Sequence, residues 1–88
     1  MNYRSQQQIC VDLLRASQSN IHQAQLLSKA NLPHTRFKGY IRKLAGAGLM
    51  VEIVSDGKHI FVITDKGRLF LEEYKRFYNV AEAFGLEI

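Results

Sequence analysis

Between Pro33 and Leu49 four cationic side chains, Arg36, Lys38, Arg42 and Lys43, occur without a carboxylate. Phe37, Tyr40, Ile41 and Leu44 recur among them at steps of three and four, the period of a helix with one apolar side. With those four turned inward, helical geometry leaves His34, Thr35, Arg36, Lys38, Gly39, Arg42 and Lys43 on outward faces. A surface of this kind suits a polyanion. An arginine fork meets a guanine edge bidentately, and lysine or threonine reaches phosphates or bases. Its plainer use is solvation, because soluble surfaces need charge. Gly39 costs a helix interior roughly 1 kcal/mol relative to alanine. Either it allows close approach to a partner or the position is weakly constrained.

Other chemistry finds little support. The three histidines, His22, His34 and His59, fall in three different elements with no cysteine partner and no His-x-x-x-His spacing, so no metal site is expected. A Gly-rich phosphate loop, a nucleophile elbow and a plausible carboxylate pair are all missing from the sequence. The expectation is a protein that is not an enzyme and needs no cofactor, with no small-molecule ligand inferred. Cys10 sits among Ile9, Leu13 and Leu14 and reads as a packed core thiol.

Charge is unevenly distributed. The 88-residue chain carries a formal net charge of +4. Residues 1–50 hold seven Lys/Arg against Asp12 alone, whereas residues 51–88 hold five against seven acids. The cationic half is therefore the one suited to a polyanion. No apolar run approaches the roughly 20 residues of a membrane span, and the polar start "MNYRSQQQ" lacks a signal-peptide core, so a cytoplasmic protein is expected.

The elements that must position these groups follow from local signals. Ile9, Cys10, Leu13 and Leu14 mark a first helix from Ser5 to about Ala16, broken by "SQSN". Asn20, with Gln23 three residues on, predicts the capped start of a short second helix through Ala30. "ANLP" predicts a turn, with Pro33 suited to the first turn of a third helix over about 33–46. Gly46 or Gly48 ends that helix in the left-handed conformation.

"MVEIVSDGKHIFVIT" changes period and predicts strands at about 50–55 and 58–63 around an Asp56-Gly57 hairpin turn. Lys58 and His59 at its tip are candidate backbone or minor-groove contacts. Thr64 caps a last helix with Asp65 in its first turn. Leu69, Phe70 and Leu71 are expected to complete the core against the wing and first helix. Phe70, Tyr74, Phe77, Ala81, Phe84 and Ile88 form a heptad seam whose later part extends beyond what a small core covers, predicting a homodimer. The expected class is α+β, mainly α: three helices, a two-stranded wing and a long C-terminal helix. Residues 1–64 form the winged helix-turn-helix unit, and residues 65–88 a dimerisation helix continuous with it.

The chain resembles the small, basic archaeal winged helix-turn-helix DNA-binding proteins that dimerise through a C-terminal antiparallel coiled coil. The resemblance is carried by "ANL" before the third helix, "FKGYIRKL" within it, "GL" at its end and "VITDKGRLFLEEY" entering the last helix. It implies duplex binding through the outward residues of 34–43 and the wing tip, and dimerisation through the last helix. Where such proteins often carry Lys-Thr-Arg entering the second helix, this chain has Gln23-Ala24-Gln25.

The leading expectation is thus a homodimeric regulator of transcription that binds double-stranded DNA. Arg36, Lys38, Arg42, Lys43 and Lys58 neutralise phosphates in it, while His34, Thr35 and Arg36 sample base edges. The alternatives are a winged helix that docks on an acidic protein partner, and a nucleoid-associated architectural protein without sequence choice.

Overall fold

The computed structural model describes residues 4–86. Helix α1 (Gln6–Ala16) starts at Ser5, whose Oγ accepts the Gln8 N–H at 3.1 Å and satisfies one of the donors a helix start leaves free. It ends at Ser17, which is fully buried yet fully bonded. The Ser17 hydroxyl donates to the Leu14 carbonyl at 3.0 Å, and its own carbonyl accepts the Ile63 N–H at 2.8 Å.

Helix α2 (Gln23–Ala30) departs from expectation at its start. Asn20 and Gln23 do not cap it. Ile21–His22 instead form a two-residue strand, β1, and His22 takes the N-cap position, its N–H donating to Gln25 Oε1 at 3.4 Å. The reason is tertiary: Ile21 is drawn into the core and pairs with Phe61, so the helix cannot begin until the strand has ended. Asn31, at φ 53°, closes α2 in the left-handed region that asparagine tolerates better than most residues. Arg4 braces this end. It binds Asp12 at 2.9 Å and donates to the Ala30 carbonyl, satisfying a free acceptor at the helix terminus.

Helix α3 (His34–Gly46) follows the three-residue turn, with Pro33 at its N-cap. At its far end the Gly48 N–H donates to the Ala45 carbonyl and the Leu49 N–H to the Leu44 carbonyl, both at 3.0 Å, with Gly48 at φ 79°. These two bonds make a Schellman motif and settle which glycine terminates the helix.

Strands β2 (Met50–Ser55) and β3 (Lys58–Ile63) pair antiparallel with the expected boundaries. Asp56 and Gly57 both have positive φ, 53° and 75°, as a type I′ hairpin turn requires. The sheet has the order β1-β3-β2, so the wing hairpin gains a third strand on its inner edge. One face of the sheet carries Met50, Phe61 and Ile63 into a core shared with Leu13, Leu14, Leu26, Phe37 and Leu44. There Phe37 and Phe61 meet edge to face, with ring centroids 6.5 Å apart. The other face presents Val51 and Ile53 to solvent.

Helix α4 (Asp65–Ala83) starts at Thr64, whose Oγ1 accepts the Gly67 N–H at 3.0 Å and donates to the Gly48 carbonyl at 2.6 Å. Gly67 is buried because α4 crosses the Leu49 carbonyl there. A Cβ on it would lie 2.1 Å from that oxygen. This contact fixes the rotation of α4 and corrects the expectation for its first turns. Leu71 packs on the core, but Leu69 is 55% exposed and Phe70 36%. Leu69 lies two residues from Gly67, nearly half a turn round the helix, and is carried to the outer side.

Candidate nucleic-acid interface

The buried side of α3 is formed by Phe37, Tyr40 and Leu44, with Ile41 half-buried beside them. Everything else about the helix surface follows from that anchoring. Thr35, Gly39, Arg42 and Gly46, at steps of four, three and four, form the outermost ridge, opposite the core. Lys38 and Ala45 flank it on the side of the wing; Arg36 and Lys43 flank it on the other side. Lys43 Nζ lies 5.8 Å from the Tyr40 ring centroid, within cation–π range. Among the described residues none of Arg36, Lys38, Arg42 and Lys43 makes an ion pair. Their charge is available to a partner.

The ridge itself is low. A Cβ built on Gly39 or Gly46 meets nothing within 4 Å, so internal packing does not account for either glycine. Each costs the helix roughly 1 kcal/mol relative to alanine. Arg42 is the one long side chain of the ridge, with a glycine three residues before it and another four residues after.

Between α3 and the wing runs an open groove of about 350 Å³ lined by Gln23, Phe37, Lys38, Ile41, Arg42, Ala45, Glu52 and Phe61. Gln23 brings the start of α2 to this groove. Glu52 comes from β2, on the sheet face that carries Phe61, and is the only carboxylate among the lining residues. His59, diagonally across the hairpin on the same face, is bonded through Nδ1 to Glu52 Oε2. His59, expected as a wing-tip contact, stays exposed while bonded to Glu52, and Lys58 is exposed beside the turn.

The structure therefore gathers His34, Thr35, Arg36, Lys38, Arg42 and Lys43, all exposed, with the half-buried Gly39, on the outward side of α3. Glu52, Gln23 and Gly46 were not expected at this surface from the sequence, where Gln23 and Gly46 were read only as helix-end residues. Only Glu52 carried a signal, as the polar member of an alternating strand. That alternation says nothing of what faces it.

Of the proposed seam, Phe70, Phe77 and Phe84 are exposed, at 36%, 59% and 77%. Tyr74 and Ala81 are used within the chain: the Tyr74 hydroxyl donates to Gln8 Oε1 at 3.2 Å, and Ala81 is buried. A second Schellman motif, with Gly85 at φ 73° and the Leu86 N–H on the Ala81 carbonyl at 2.8 Å, stops α4 at Ala83. Ile88 lies outside the described residues.

Burial pushes the Cys10 thiol up in pKa, with the Lys43 charge acting the other way. No cluster of three metal-ligating side chains occurs among the described residues, and no described helix is long and apolar enough to cross a membrane.

A helix-turn-helix followed by a wing, with its third helix exposed and cationic, defines the class of this fold. The winged helix-turn-helix family profile matches residues 3–82, and the chain belongs to that family. Among solved structures the fold is similar to Sso10a-2, described as a DNA-binding protein from Sulfolobus solfataricus. The TM-score is 0.81 at 21% identity, covering 92% of this chain and 85% of that one. It is also similar to AF1382 from Archaeoglobus fulgidus, with a TM-score of 0.69 at 20% identity over 83% of this chain and 87% of that one. None of the curated proteins matches the sequence.

Proposed function

We propose that the protein binds double-stranded DNA as a homodimer and regulates transcription, with α3 in the major groove and the wing along the backbone or minor groove. The observation that carries this reading is the exposed surface of α3. Four cations that make no ion pair among the described residues lie on and beside a low ridge that a duplex groove can receive. Arg36, Lys38, Lys43 and Lys58 meet phosphates on either side of the ridge, while Arg42, Thr35 and His34 reach base edges. The description of Sso10a-2 as DNA-binding supports the same reading.

The stripe of Phe70, Phe77 and Phe84 supports self-association. Phe70 and Phe77 lie seven residues apart on a helix of 19 residues, and Phe84, seven further on, is its C-cap. Phe77 lies midway, so an antiparallel pairing with the two-fold axis at Phe77 would set Phe70 of one copy against Phe84 of the other. Two linked α3 helices then address two half-sites.

Fluorescence anisotropy of a labelled duplex, titrated with protein at several salt concentrations, tests the reading. The expected log-log slope has a magnitude of about 4 or more, as counterions are released from several phosphates. The double reversal Arg36→Glu with Arg42→Glu should abolish binding without lowering Tm, because both side chains are exposed and make no ion pair among the described residues. Absence of binding at low salt would refute the proposal and turn the search to an acidic protein partner.

A further inference from the structure

The groove beside α3 contains one residue that a phosphate-binding surface does not need. Glu52 stands in it with Lys38 and Arg42, and against a phosphate it would only repel. Its position is held. His59 Nδ1 engages Oε2, which leaves Oε1 of the carboxylate free to accept a further donor. Arg42 lines the same groove and also tops the ridge, with Gly39 and Gly46 removing side chains on either side of it. A fork of donors and a fixed acceptor thus share one groove at the edge of the surface assigned to DNA.

That pairing has a specific complement. In the major groove a G·C pair shows two acceptors, N7 and O6 of guanine, beside the N4 amino donor of cytosine. An A·T pair shows an acceptor, a donor, then another acceptor and a methyl group. We infer that Arg42 and Glu52 together read one G·C pair in each half-site, Arg42 donating to O6 and N7 of the guanine and Glu52 accepting from N4 of the cytosine. Against A·T the guanidinium would face the adenine amino group and the carboxylate the thymine O4. Both contacts then place like against like. Glu52 so converts a groove that attracts any phosphate into one that penalises the wrong base pair. The inference rests on the DNA-binding reading and assigns that surface its sequence choice.

The test is selection of wild-type protein against a duplex pool with a randomised central segment, followed by anisotropy on the enriched duplex and its single-pair variants. The expected result is a fixed G·C position at which replacement by A·T weakens binding by about ten- to hundred-fold. Glu52→Ala should lower that preference about five- to tenfold, leaving the part that the guanine contact of Arg42 supplies, while tightening binding to a scrambled duplex, since a repulsive charge has gone. Arg42→Ala should remove most of what remains. Lys38→Ala should instead weaken all duplexes alike and reduce the salt slope by about one, leaving the preference in place. Equal binding of every duplex by the wild type, or a G·C preference undiminished in Glu52→Ala, would overturn the couple while leaving DNA binding intact. No retention of any duplex at low salt would overturn both.

Discussion

Gly67 and Gly39 are both helical glycines without positive φ, and the same substitution should move stability in opposite directions at the two sites. Alanine gains up to about 1 kcal/mol of helix propensity at either. At Gly67 the new Cβ would sit 2.1 Å from the Leu49 carbonyl oxygen and 2.6 Å from Ile63 Cγ1. Reaching ordinary contact needs a displacement of about 1.3 Å, and the obstacle is backbone that cannot rotate aside. Such a shift would pull on the Thr64 N–H bond to that same carbonyl, 3.1 Å long, and on the Thr64 hydroxyl bond to Gly48. Overpacking costs about 1–3 kcal/mol and each weakened hydrogen bond about 1 kcal/mol. Net of propensity, Gly67→Ala should destabilise by about 2–4 kcal/mol, lowering Tm by about 8–32 °C for a domain of this size. At Gly39 nothing opposes the methyl group, so Gly39→Ala should raise Tm by about 4–8 °C. Thermal unfolding followed by circular dichroism measures both, and anisotropy on a duplex shows whether the Gly39→Ala methyl weakens binding. A Gly67→Ala variant melting within about 2 °C of wild type, or a destabilised Gly39→Ala, would refute the packing argument.

Phe77→Asp places a charge at the centre of the exposed α4 stripe; it should convert a dimer to a monomer in sedimentation equilibrium, and a wild type already monomeric would refute the dimer. Gly57→Val forces a β-branched residue into φ 75° and should cost about 1–2 kcal/mol, read as a Tm about 4–16 °C lower. Because burial raises the Cys10 pKa, the thiol adds stability while protonated, and that contribution is lost as pH rises through the raised folded value. Cys10 should therefore react with a disulfide reagent more slowly than a free cysteine at pH 8, and equal rates would contradict its partial burial.

The element pattern was legible because each signal acts over a few residues. Ser5 and Thr64 accept N–H groups three residues on, Pro33 stands at the entrance to α3, and Asp56-Gly57 supplies two positive φ angles in succession. The apolar period of Phe37, Tyr40 and Leu44 likewise determined which side chains of α3 face outward. Strand β1 had no such signal. Two residues carry no period, and Ile21–His22 are extended only because β3, some forty positions later, supplies their partner. The rotation of α4 was hidden for the same reason. The heptad pattern grouped Tyr74 and Ala81 with Phe70, Phe77 and Phe84, but the contact of Gly67 with Leu49 turned the first two toward the chain and left the three phenylalanines exposed. The placement of Glu52 and Arg42 in one groove also waited on the fold, since the two come from different elements and share it only when Phe61 packs on Phe37. Near-neighbour chemistry therefore decided what each segment becomes, and long-range packing decided which of its faces remains free to act.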